Sequence, residues 1–76
     1  MYAVVTGDYC GEMLAFIETT NGVHNFISVP KNENRSVPVD KFDFGIANGV
    51  VEKVDKMPSY VYDILVEQYN YNKVNK

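Results

Sequence analysis

Residues 12–29, EMLAFIETTNGVHNFISV, decide how this chain folds. In residues 12–18 Met13, Ala15 and Ile17 alternate with Leu14 and Phe16. An extended strand would therefore be apolar on both faces, and seven residues between turn signals are too few for a helix. Asn21-Gly22 follows, flanked by apolar runs. A two-residue hairpin turn of the I′ type holds both central residues at positive φ, and Asn-Gly is the pair that tolerates this best. Residues 23–29 are the return strand, with Val23, Asn25, Ile27 and Val29 on one face and His24, Phe26 and Ser28 on the other.

The rest of the chain is read outward from this hairpin. Tyr2 to Thr6 is β-branched and aromatic and predicts a strand. Gly7-Asp8-Tyr9-Cys10-Gly11 is a turn. Residues 30–35 are the most polar stretch and predict an exposed loop, followed by an extended segment over 35–39. Pro38 cannot donate to a ladder, so that segment belongs at a sheet edge or ends there. Asp40, with Asp43 three residues on, predicts the N-cap of a short helix over 41–48. Gly45 weakens this helix, and Gly49 occupies the position of a C′ glycine. Residues 50–54 predict a last strand. After Pro58, with Ser59 as N-cap, apolar residues at helical spacing predict an amphipathic helix over 60–71. The tail 72–76 is expected to fray. The expected core is Val5, Leu14, Phe16, Ile27, Val51, Ile64 and Leu65.

Seventy-six residues hold one small domain, 1–76. Its class is mainly β with a C-terminal α-helix: a small SH3-like barrel, or a strongly bent antiparallel sheet of four to five strands. Apolar residues are 46% and charged residues 22%, which excludes a disordered chain. No apolar run is long enough to span a membrane, so no membrane role is expected. The N-terminus lacks the basic and apolar regions of a signal peptide. The single Cys10 cannot form an internal disulfide, and a reducing, cytoplasmic setting is expected. Eight asparagines, and six lysines against one arginine, point to a low-GC genome and to a bacteriophage or mobile-element accessory protein. Ten acidic against seven basic residues, net −3, disfavour nucleic acid as a partner without excluding a local basic patch.

Residues 4–29 resemble the KOW motif, the strand–turn–strand unit of NusG-type transcription factors and several ribosomal proteins. The resemblance lies in the strand Val4-Val5-Thr6, the G-x-x-x-G spacing of Gly7 and Gly11, and the strands that follow. It implies an SH3-like small barrel. As an alternative function it implies a nucleic-acid or ribonucleoprotein-binding module. Where the family carries basic residues around the turn, this chain has Asp8 and Glu12; where the family often has a third glycine, it has Leu14.

His24 has no evident partners for metal binding or general-base work, and Cys10 has no evident cleft. The carboxylates are scattered. No catalytic residue, metal ligand or cofactor is assigned. The largest departure from average composition is at the C-terminal end, where Tyr60, Tyr62, Tyr69 and Tyr71 lie within seventeen residues. Tyr62, Val66 and Tyr69 share a helix face beside the stripe Val61–Ile64–Leu65. Tyrosine is large, rigid and amphipathic, and it is enriched at binding hot spots. The expected function is a non-enzymatic protein-interaction module. Tyr62, Val66 and Tyr69 would contact an unidentified protein partner or a second copy of the chain.

Overall fold

In the computed structural model, which describes residues 1–29, 31–54 and 57–74, the central hairpin forms as the sequence predicts. Strand β2 is Met13–Thr20 and β3 is Val23–Val29. Thr20 pairs with Val23 around the two-residue turn, where Asn21 has φ 51° and Gly22 φ 75°. Strand β1 is Tyr2–Val4, β4 is Glu33–Pro38, helix α1 is Val39–Ala47, β5 is Val51–Lys53 and α2 is Ser59–Val74. All five strands join one antiparallel sheet in the order β4-β3-β2-β1-β5.

The sheet is open and does not close into a barrel. Of the two architectures expected, the antiparallel sheet of five strands is the one formed. The edge strands β4 and β5 are successive strands in the chain, and α1 carries the chain between them across one face. With that helix over the face, and only three residues in each of β1 and β5, the edges do not meet. Pro38 ends the edge strand β4, where its missing N–H leaves no ladder partner unmet.

After β5 the chain returns across the opposite face as α2, so the sheet lies between two helices. One cluster packs Leu14 and Phe26 on Phe42 of α1, with Tyr2, Val4, Val37 and Val51 around them. The other packs Ala15 and Ile27 on Leu65 and Tyr69 of α2, with Met1, Ile17, Val29, Met57 and Val61 around them. This is why β2 is apolar on both faces. On the α1 side the rings stack edge to face: Phe26 lies 6.2 Å from Tyr2, and His24 lies 5.3 Å from Phe42. Aromatic edges and faces carry opposite partial charge, which favours this geometry.

Three expected core residues lie elsewhere. Val5 is exposed because β1 ends at Val4 and the chain turns away. Phe16 is 38% exposed because β1 pairs Tyr2 with Leu14 and has run out opposite Phe16. Ile64 is exposed because Leu65, about 100° further round the helix, is the residue turned to the sheet. Leu14, Ile27 and Leu65 are buried, and Val51 is half-buried.

The helix ends also differ in detail. Asp40 is not the N-cap: α1 begins at Val39 after Pro38, with no side-chain cap, and the Val39 N–H donates to the Gly22 carbonyl at 3.0 Å. At the other end Gly49 has φ 71°. Its N–H donates to Ile46, while that of Val50 donates to Gly45 at 2.8 Å. These paired bonds satisfy carbonyls that the last turn would leave open. Ser59 is the first residue of α2, and the Pro58 carbonyl accepts from Val61 and Tyr62 at 3.1 Å each. The polar loop is shorter than predicted, because Glu33 and Asn34 already belong to β4; Pro30, its predicted first residue, lies outside the described residues.

Candidate interaction surface

Helix α2 has two apolar faces. The inner face carries Val61, Leu65 and Tyr69, which pack on the sheet. Tyr69 is 4% exposed, so the position expected on a binding rim is core. A β-bulge explains part of this. The register of β2 on β3 slips between Phe16 and Glu18, which brings Glu18 under α2 rather than onto the face of Phe16. The Tyr69 hydroxyl donates to Glu18 Oε2 at 3.3 Å. Burial, then the charge of Glu18 and this bond, push the Tyr69 hydroxyl above its ordinary pKa. Lys73 Nζ lies 3.6 Å from Glu18 Oε2 and 5.5 Å from the Tyr69 ring centre.

Tyr62 and Val66, the other residues expected to bind, are half-buried. Tyr62 lines a shallow notch of about 360 Å³ with Met1, Phe16, Met57 and Ser59. The structure therefore separates the three: Tyr69 is under the helix, while Tyr62 and Val66 keep part of their surface.

The outer face carries Tyr60, Ile64, Tyr71 and Val74, which are 69%, 60%, 63% and 83% exposed. At about 100° per residue their spacings of four, seven and three keep all four within one narrow stripe, opposite the inner face. Glu67 lies within that stripe and Asp63 beside it, both exposed. The sequence places the binding face at Tyr62, Val66 and Tyr69, and this row is not the one it singles out. The i, i+4, i+11, i+14 spacing was present, but which apolar stripe faces the sheet depends on the angle at which α2 docks.

A network of asparagines sets that angle at the C-terminal half. Asn34 Nδ2 donates to the Tyr69 carbonyl at 3.0 Å. Asn72 Nδ2 donates to the Asn32 carbonyl at 2.8 Å and to Asn34 Oδ1 at 2.9 Å. Of the tail expected to fray, residues 72–74 are helical, with Asn72 held by these bonds; Asn75 and Lys76 lie outside the described residues.

A second polar centre lies on the opposite face of the sheet, the one that α1 covers. Glu12 is 5% exposed and accepts from the buried Ser28 hydroxyl at 2.6 Å. Arg35 Nη2 donates to Glu12 Oε2 at 3.4 Å, and Lys31 Nζ lies 3.6 Å from the same oxygen. Arg35 Nε is 3.3 Å from Glu12 Oε1 but off the hydrogen-bond direction, so its proton has no acceptor. Burial alone would raise the Glu12 pKa. The Ser28 bond, the Arg35 bond and charge, and Lys31 together outweigh it and hold the carboxyl below its ordinary value. Arg35 also donates to Glu33 at 2.8 Å and lies 5.3 Å above the Tyr9 ring. Beside this centre, a groove of about 380 Å³ has an apolar floor that includes Leu14, Phe42 and Val51, and Asp8 and Lys41 among its polar lining. Sequence separation hides the centre: residues 12, 28 and 35 meet only through strand register.

Cys10 and His24 are not brought together. The Cys10 thiol donates to the Val5 carbonyl at 3.2 Å in the glycine turn. His24 Nδ1 is 2.7 Å from Thr19 Oγ1 near the hairpin tip, most of the length of β2 away. Among the described residues no group of three His, Cys, Asp or Glu could hold a metal ion, and no helix is long and apolar enough to cross a membrane. Compared with family models, curated proteins and solved structures, the chain matches none of them.

Proposed function

We propose that this protein is a non-enzymatic interaction module that binds another protein through the outer face of α2. The observation that carries this reading is the exposed row Tyr60–Ile64–Tyr71–Val74. A helix that only covers a sheet has one apolar stripe and a polar back. Here the back also carries four large exposed apolar side chains, set around Glu67, and exposed apolar surface marks interaction sites. Tyr60 and Tyr71, one in each half of the row, suit a surface that is wet when free and buried when bound. Tyr62 and Val66, half-buried on the same helix, would extend the contact toward the notch at Met1 and Met57.

The test is the double change Tyr60→Ser with Ile64→Ser. Both side chains are exposed, so the melting temperature and circular dichroism should stay within error. Capture of the partner from the cells that express the protein should be lost. Undiminished capture by the folded variant would refute the reading. The competing reading is nucleic-acid binding through the glycine turn. Of the basic residues near that turn, Lys31 and Arg35 are already matched by Glu12 and Glu33, and Lys41 shares its groove with Asp8. Capture that survives about 0.5 M salt favours the apolar row, because phosphate contacts weaken steeply with salt.

A further inference from the structure

We infer that the element docking on the outer face of α2 is a basic amphipathic helix of another protein, an inference that rests on the reading of that face as the binding surface. Shape argues for a helix. The row is straight, about 21 Å long from Tyr60 to Val74 at 1.5 Å per residue. Its side chains form ridges at helical spacing, which pack best into the grooves of a second helix.

Charge argues for a basic one. Among the described residues of α2, the charged ones in and beside the row are Glu67 and Asp63, both exposed and both acidic. Lys73, the cation of α2, is engaged on the other side by Glu18 and the Tyr69 ring. The protein as a whole is acidic, at −3. A docking helix with Lys or Arg flanking its apolar stripe would meet Asp63 and Glu67 with opposite charge. A second copy of this chain would not. Glu67 is midway along the row, so pairing two α2 helices by their outer faces in either direction sets Glu67 against Glu67 of the other copy. Like charges facing one another at the centre of a contact disfavour that partner.

Two synthetic helices test this on the intact chain: a leucine–lysine amphipathic helix and its leucine–glutamate counterpart, each labelled and titrated by fluorescence anisotropy. The wild type should bind the lysine helix saturably, one to one, and prefer it by about tenfold, since the charge pairs at Asp63 and Glu67 change from attractive to repulsive between the peptides. The charge reversal Asp63→Lys with Glu67→Lys should invert the preference. Tyr60→Ser with Ile64→Ser should abolish binding of both. Equal binding of the two peptides by the wild type, lost in the Ser variant, would overturn the basic partner and leave the apolar face standing. A lysine preference that survives in the Ser variant would place the attraction elsewhere and overturn both. Failure to bind either helix, or dimerisation of the wild type in sedimentation, would also overturn the inference.

Discussion

Replacing Glu12 by Gln isolates the charge of a buried group while keeping its shape. The carboxylate is 5% exposed and faces Ser28, Arg35 and Lys31. An amide can still accept from Ser28, so the loss is that of the charged contacts. Removing one partner of a buried ion pair costs about 3–5 kcal/mol, and a hydrogen bond to a charged group contributes about 1.5–3. Arg35 keeps Glu33 at 2.8 Å, and Lys31 is exposed, which lowers the figure. About 2–3 kcal/mol is expected, out of roughly 4–11 for a domain this size. At about 4–8 °C per kcal/mol the melting temperature should fall by roughly 8–24 °C.

The pH dependence has a definite sign. The folded chain holds the Glu12 carboxyl below the ordinary 4.5, so the unfolded chain takes up the proton first as pH falls. The stabilisation is present above that value and is lost as pH falls through the depressed folded value. Urea unfolding of wild type and Glu12→Gln, followed by circular dichroism between pH 7 and pH 3, should show a gap that narrows on the acid side. There the protonated wild type resembles the amide. Equal stability at pH 7, or a gap that does not change with pH, would refute the account of this centre.

Other substitutions test the packing and the turns. Phe26→Ala should cost about 3–5 kcal/mol, because Phe26 is fully buried among four rings, whereas the partly exposed Phe16→Ala should cost about 1–2. A larger loss at Phe16 in denaturant titrations would reverse the placement of the two rings. Gly11 has φ 96° with open space where a Cβ would sit, so Gly11→Val should lose about 1–2 kcal/mol through backbone strain alone. An unchanged thermal midpoint would contradict that conformation. Gly45→Ala should stabilise by about 0.5–1 kcal/mol, since it removes a glycine from a helix and the new methyl would rest 3.6 Å from Val51 Cγ2. A drop in melting temperature would mean that α1 packs more tightly on β5 than this distance allows.

Local chemistry in the sequence determined the elements. Asn21-Gly22 specified the central turn, because few other pairs accept two positive φ angles in succession. The alternation in 12–18 specified a strand covered on both sides, and Gly49 ended α1, because in each case the information lies within a few residues. Tertiary structure alone decided which surfaces meet. The open sheet follows from α1 bridging the edges β4 and β5, a matter of where a helix lands rather than whether it forms. The bulge after Phe16 turned Glu18 toward Tyr69, and the asparagines at 34 and 72 set the docking angle of α2. A helix with two apolar stripes has no preference of its own for either one. The angle at which α2 docks put Leu65 and Tyr69 inside and left Tyr60, Ile64, Tyr71 and Val74 facing outward.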